Sequence, residues 1–563
     1  MCRSKLNEGN IMSKMSGGEV IVQSLVREGV EFLFGLPGVQ MYGLVAALRE
    51  HPEVKMIVPR HEQATTYMAD GYARASGKVG VAMVVPGPGL YNAAAGLSTA
   101  YSTSSPVLMI AGQIPRATIG LDLGGLHEVN EQLDIVRPVT KYSKRVLRPN
   151  EIPGAISEAF DAMRNGHPRP THIEMPPETL VEQDDVELLE SVPVIRNAAS
   201  DESIEEAAKL IIEAKHPIIY VGIGVIRSEA EKEFQAFTEA TNIAVITSPS
   251  SKGVISDAHP HSLGAGLRGS GQLKDVMEAA DVVIAVGTRY ALRSPSGQSA
   301  KLVHIDVDEQ EIGRHHKNVL PVVGDAKATL LKLTAEIERQ GGTQNESPSE
   351  KVKGIREILD SGEESLEPQN SILNSLRDGV PKNGTMVFDM TQMGYYSKAF
   401  WKTYESRTYI DSGYSGNLGF AYATALGAKV AKPDTAVIAV CGDGGFMYNV
   451  QELSTAVKYG INVVAVVFND GHYGNVRRDL EHDWNGDYET DFVNPDFVKM
   501  AESFGALGIK VDDPAKVGEA VEKALAANCP VIIDVTMYDT NELPFPYEGS
   551  APWRVPQDGL LEK

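Results

Sequence analysis

The chain has 563 residues, 42% apolar and 23% charged, an ordinary mix for a globular protein of about three domains. Its formal net charge of −23 argues against a nucleic-acid partner, whose phosphates want a basic face. No apolar run approaches the ~20 residues that span a bilayer, and Cys2, Cys441 and Cys529 form no metal-spaced pair, so a reducing cytoplasm is expected.

Residues 1–16 carry charge but no apolar core, and are expected to be a loose tail rather than a secretory signal. Beyond them, short apolar runs alternate with helical patterns. "VGVAMVV", "PVLMIAG", "DVVIAVG", "TAVIAVCGDG" and "INVVAVVFND" are apolar at nearly every position. Such strands are buried on both faces, as in a parallel sheet covered by helices. The expected fold is α/β, with three doubly wound parallel-sheet domains: 17–190, 191–338 and 371–563. The polar stretch "RQGGTQNESPSEK" opens an expected linker, 339–370.

Residues 442–470 read as strand tip, helix and strand tip. "AVIAVC" is a strand and "GDGG" follows at its carboxyl end, where open α/β sheets bind ligands. Gly442, Gly444 and Gly445 let backbone approach a ligand closely and expose N–H groups. "NVQELSTAVKYG" is a helix, with Val450, Leu453, Ala456 and Val457 on one face and Gly460 as its stop. "INVVAVVF" returns, and Asp470 stands at its end. Asp443 and Asp470 thus sit at two strand tips, a pairing that suits Mg²⁺ with phosphate oxygens completing its shell. Taken singly, each Asp reads more readily as a turn residue than as a ligand, and it is the pairing that favours the metal.

This stretch resembles the thiamine diphosphate-binding motif, which begins GDG and ends near Asn about thirty residues later. The resemblance assigns Mg²⁺ to Asp443, Asp470 and the carbonyl of His472, with Tyr473 and Gly474 beside the cofactor. Asp470 stands where the family usually has Asn. "FLFGLPGVQMYGL" and "RHEQAT…ADGYARASG" resemble the pyrimidine-binding domain of the acetolactate synthase-like branch, and the likeness runs over about 17–545. It implies thiamine diphosphate and Mg²⁺ as cofactors. The cofactor's own 4′-amino group becomes basic when a carboxyl is held against N1′, and the matching residue is Glu62, expected to be buried. Leu418 matches the residue that props the bent cofactor. The carbonyl of Gly416 matches the 4′-amino contact, and Gln392 a diphosphate contact. Gln113 is implied in the pocket through the family's "GQ" segment. In the family the two half-sites come from different subunits, so a homodimer is the smallest expected active unit and a homotetramer is common.

The resemblance implies decarboxylation of a 2-oxo acid and transfer of the remaining unit to a second carbonyl. Four departures bear on scope. "VVPGPGLYNAAAG" lacks the His pair of pyruvate-type decarboxylases. Leu126 and His127 replace the usual Phe-Gln, and His127 reads as a proton relay or carboxylate ligand, or else as a partner of Glu128. Asp479 stands where the synthases carry a selective Trp. Arg293 matches their Arg for the second oxo acid, without its surrounding motif. FAD is weighed and not favoured: Asp306, Asp308 and Asp325 read better as turn residues than as adenosine contacts. A lyase that cleaves a diketone or hydroxy ketone, and a non-catalytic regulatory protein, are the rival readings.

Overall fold

Strands that are apolar on both faces have to be covered on both faces, and this chain builds three sheets that way. The computed structural model describes residues 12–265, 272–291, 300–361 and 366–538. Each of its three six-stranded sheets is parallel throughout. By density of contacts the chain divides into two units. The first holds residues up to Ile195 with 412–433 and 451–461; the second holds the rest.

In the first unit the sheet runs Lys55–Ile57, Phe32–Gly35, Gly80–Val84, Val107–Gly112, Thr171–Met175, Tyr142–Arg145. Its three central strands 80–84, 107–112 and 171–175 are buried at every residue. The expected tail is shorter than 1–16. Ser13–Ser16 pairs antiparallel with Gln183–Val186, and Ser16 forms a capping box with Glu19 at the start of the helix Gly17–Arg27. Backbone hydrogen bonds, a cap and burial of Met15 there offset the entropy of ordering four residues.

Two helices of this unit cross at backbone contact. Glu62–Ser76 meets Ala421–Ala431, a helix of small residues. A Cβ at Gly71 would lie 1.9 Å from the Thr424 carbonyl oxygen, and one at Gly427 would lie 1.9 Å from that of Met68. Residues 412–433 and 451–461, assigned from sequence to the third domain, therefore pack with the first.

The second unit holds the other two sheets. The middle one runs Ser262–Ala265, Val245–Thr247, Pro217–Val221, Val282–Val286, Lys301–Asp306, Val319–Val323. The third runs Tyr409–Ile410, Thr385–Phe388, Val437–Gly442, Val464–Asn469, Val531–Thr536, Leu507–Val511. The expected linker 339–370 contains a helix, Ser349–Ser361. Its Val352, Ile355 and Leu359 are buried in a cluster with Leu263, Leu273 and Met277, so apolar burial overrides a polar, Pro- and Gly-containing opening. Among the described residues no helix is long and apolar enough to cross a membrane.

Candidate active site

The strands Val437–Gly442 and Val464–Asn469 are hydrogen-bonded neighbours in register, with Gly442 opposite Phe468. Asp443 and Asp470 follow directly, so one alignment puts both carboxylates at adjacent tips. The helix expected over 449–460 is shorter than that span, and a separate turn precedes it. Asp443–Phe446 is a single turn, and Leu453–Tyr459 begins only after a 3₁₀ turn and ends on Gly460 at φ +63°.

Asp443 is 2% exposed. Its Oδ2 accepts from the N–H of Gly471 at 2.7 Å, the N–H of Asp470 at 3.2 Å and Nδ2 of Asn494 at 2.7 Å. Oδ1 accepts from Gly444 N–H at 2.8 Å, which leaves that oxygen a lone pair for a cation. Burial raises the carboxyl above its ordinary range while these N–H groups pull it back. Asp470 accepts the His472 N–H at 3.1 Å on Oδ1, and Gly471 at φ +76° turns the chain between them. Nδ1 of His472 lies 2.7 Å from the Asp470 carbonyl, which can only accept, and Arg477 donates to Nε2 at 3.1 Å. The ring is therefore the neutral Nδ1–H tautomer, held as a brace for the loop.

A cleft of about 220 Å³ adjoins this carboxylate, lined by Gly444, Met447, Tyr448, Tyr473, Phe492 and Asn494 among others. Tyr473 stacks edge-on against Phe492, and a Cβ at Gly444 would lie 2.7 Å from the Tyr473 ring. Gly445 is buried behind it, and Gly474 opens the helix Gly474–Trp484. Gln392, also in this unit, is buried at the start of the helix Gln392–Phe400. Two carboxylates, a backbone carbonyl and a glycine-floored cleft fit Mg²⁺ and a diphosphate: hard oxygen donors, and room for phosphate oxygens.

The other expected residues lie in the first unit. Glu62 opens the helix Glu62–Ser76, with His61 as its N-cap and Gly77 in the left-handed conformation as its stop. It is half-buried rather than buried, and Nδ2 of Asn92 donates to its Oε2 at 3.0 Å. Glu452 holds this turn: its fully buried carboxylate accepts the N–H of Arg60 at 2.9 Å and of His61 at 3.1 Å. Gly416 is at φ +64° and Leu418 is half-buried, in the loop before Ala421–Ala431. Asn417 between them donates to Tyr67 Oη and to the Ala95 carbonyl, each at 3.1 Å.

Gln113 is 2% exposed, its amide nitrogen donates to Glu174 at 3.1 Å and its oxygen accepts the Ile114 N–H at 2.7 Å, so it belongs to a buried polar network. His127 is not a partner of Glu128, whose carboxylate accepts the N–H groups of Leu123 and Gly125. The His127 ring instead meets Gln40, Nδ1 to Oε1 at 3.0 Å. Asp479, in the place of the selective Trp, pairs with Arg478 at 2.8 Å. Asp306 accepts the Asp308 N–H and Asp325 caps the helix Ala326–Arg339, as turn and cap residues. Cys441 is buried and inert, its thiol pushed up by burial. Arg293, Cys2 and the residues after 538 lie outside the described residues.

Asn494, Glu452, Asn92 and Gln40 were not singled out from sequence. Glu452 carried one signal: a carboxylate beside Leu453 on a helix face meant for the core, where an unpaired charge is costly.

Comparison with known proteins adds the wider context. Three family models match in order: the thiamine pyrophosphate enzyme N-terminal TPP binding domain at 15–136, its central domain at 204–333, and its C-terminal TPP binding domain at 389–535. The chain is 34% identical to a probable acetolactate synthase large subunit of Methanocaldococcus jannaschii, over 94% of this chain and 93% of that one. It is 32% identical to the acetolactate synthase large subunit of Haemophilus influenzae, over 95% and 97% of the two chains. With the acetolactate synthase isozyme 3 large subunit of Escherichia coli K12 it shares 31% identity, over 95% and 97%.

Proposed function

This chain belongs to the thiamine pyrophosphate enzymes, in the acetolactate synthase large-subunit branch, and from that premise we propose that it decarboxylates pyruvate and joins the two-carbon unit to a second 2-oxo acid, giving acetolactate. The observation that carries this reading is the placement of Asp443 and Asp470 at two hydrogen-bonded strand tips beside a glycine-floored cleft.

Thiamine diphosphate, when bound, supplies the electron sink for decarboxylation and for forming the new C–C bond. The chain's residues supply position and charge. Asp443, Asp470 and the His472 carbonyl would hold Mg²⁺, and Mg²⁺ the diphosphate, with the N–H groups of Gly444 and Gly445 and the side chain of Gln392 around it. Asp470, in place of the usual Asn, adds a negative charge that strengthens the hold on the metal. Glu62 would hold a proton against N1′ of the pyrimidine, with Asn92 fixing one carboxylate oxygen and leaving the other to face that atom. Leu418 and Gly416 would shape the cofactor's bend. His127 would sit at the substrate, on a loop that touches the start of the helix carrying Asn92.

The family assigns the two halves of the site to two subunits, so we infer a homodimer as the minimal active unit, a homotetramer as its common assembly and the cytoplasm as its compartment. The relatives are named large subunits, which extends the proposal to a separate smaller subunit. Cleavage of a diketone or hydroxy ketone uses the same residues in reverse and is not favoured. NMR analysis of products from pyruvate, thiamine diphosphate and Mg²⁺, with and without a second carbonyl compound, tests the reading. Acetolactate or a mixed hydroxy ketone is the expected product; free aldehyde alone under every acceptor would overturn it.

A further inference from the structure

Gln40 is 5% exposed and uses both ends of its amide on one loop. Nε2 donates to the Leu126 carbonyl at 3.2 Å, and Oε1 lies 3.0 Å from Nδ1 of His127. A carbonyl can only accept, so the amide nitrogen must face Leu126 and the amide oxygen must face the imidazole. That oxygen can also only accept, so Nδ1 of His127 carries the hydrogen. In the neutral ring, Nε2 then has the lone pair.

The backbone around this ring is equally constrained. His127 has φ +66°, a conformation a non-glycine residue keeps only where its surroundings enforce it. Its carbonyl oxygen would lie 2.5 Å from a Cβ on Gly87, itself at φ +58°. Gly87 N–H donates to Oε1 of Gln132 at 2.9 Å, and Nε2 of Gln132 lies 2.8 Å from the buried Glu174. Gly87 precedes the helix Pro88–Ser102, and Asn92, which holds Glu62, is five residues or about 7.5 Å of helix further on. One helix start thus ties the His127 loop to the carboxylate assigned to the pyrimidine.

We propose that Gln40 is a positioning residue that fixes His127 as the Nδ1–H tautomer, so that Nε2 exchanges a proton with the acceptor carbonyl oxygen during carboligation. This rests on the reading of His127 as a substrate-facing residue. In that step the electron pair of the acyl unit forms the new C–C bond. The π pair of the acceptor carbonyl moves onto its oxygen, and that oxygen takes the proton from Nε2 of the imidazolium. His127 is left neutral with its hydrogen on Nδ1, the form that Gln40 holds, and water returns the proton. The groups facing His127 are uncharged or already hydrogen-bonded elsewhere. From the turn Val39–Met41 it is the uncharged Gln40, and from the helix start the Gly87 backbone. On its own loop the Glu128 carboxylate is engaged by Leu123 and Gly125 N–H, while Glu131 beyond it pairs with Arg145.

The test uses Gln40→Leu, Gln40→Glu and His127→Gln in the full chain. ¹⁵N-histidine spectra of the protein without cofactor, with His127→Gln to assign the signals, should show protonated Nδ1 and bare Nε2. Gln40→Leu should move that signal toward the other tautomer. In the loaded enzyme, Gln40→Leu should lower kcat roughly 10-fold with little change in donor KM. Gln40→Glu, nearly isosteric, should shift the alkaline limb of the kcat profile up by about one pH unit by favouring the imidazolium. If both Gln40 variants leave the ring signal and the limb unchanged while His127→Gln removes the limb, the inference about Gln40 is wrong and the reading of His127 stands. If His127→Gln keeps the wild-type limb, the reading of His127 itself fails. The spectra need no turnover, so failure of pyruvate as substrate is distinguishable from both, and Gln40→Glu keeps the test open should Gln40→Leu not fold.

Discussion

Glu452 accepts the backbone N–H of Arg60 across 392 residues of sequence, at 2.9 Å, and takes His61 N–H and the Thr455 hydroxyl as well. Burial raises this carboxyl and the three donors pull it back down. What it holds is the turn that launches the helix beginning at Glu62. Glu452→Gln has one acceptor oxygen for these donors. It should lower kcat/KM by about 10- to 100-fold through misplacement of Glu62, with thiamine diphosphate still bound. Steady-state kinetics beside a cofactor titration would separate the two.

Glu62→Gln keeps the size of the side chain and an oxygen for Asn92, but removes the proton-holding carboxyl. Turnover should fall by about 10²- to 10⁴-fold while cofactor affinity stays within a few-fold. Full activity in this variant would remove Glu62 from its assigned role.

Asn494 donates to Asp443 at 2.7 Å and to the Asn469 side chain at 3.0 Å, bridging the two strand tips. Outer partners of metal ligands are worth about 10- to 100-fold in metal affinity. Asn494→Ala should weaken Mg²⁺ binding by that amount, read by calorimetry at fixed thiamine diphosphate. An unchanged isotherm would show that the bridge does not orient Asp443.

Asp306 has its carboxyl raised by burial, and further by Asp308 and Glu311, to about 6 from 3.8. Between those values the folded chain keeps a proton the unfolded chain has lost. Stability contributed here falls as pH rises through that window, and the cost is complete above about pH 6. Asp306→Asn, which retains an acceptor for Asp308 N–H, should be the more stable protein at pH 8 by roughly 1–3 kcal/mol. That advantage should vanish by about pH 4 in denaturant titrations, since both states then hold the proton.

Gly71→Ala and Gly427→Ala each push a methyl to 1.9 Å from a carbonyl oxygen of the opposing helix. Each should cost about 3 kcal/mol or more, because both partners are backbone and neither can move alone. Thermal unfolding of the two variants checks this; wild-type midpoints would mean the helices cross less closely.

The period and apolarity of the strands determined the three parallel sheets, since a strand buried on both faces has few other ways to be satisfied. The GDG stretch determined the proposed metal side of the site in the same local way: Asp443 and Asp470 each directly follow a strand, and adjacent strands align their tips. The tertiary structure decided what depends on pairs far apart in the chain. Whether Ser349–Ser361 was a linker or a packed helix depended on a cluster from another part of the sequence. Which unit Ala421–Ala431 joins was settled by the glycines of two helices meeting at backbone distance. Sequence offers neighbouring Glu128 as one reading for His127, beside a proton relay or a carboxylate ligand, but the ring's contact is Gln40, 87 positions away. Hydrogen-bond partners of buried polar groups are chosen by three-dimensional proximity and by the need to satisfy every donor, and sequence spacing carries neither.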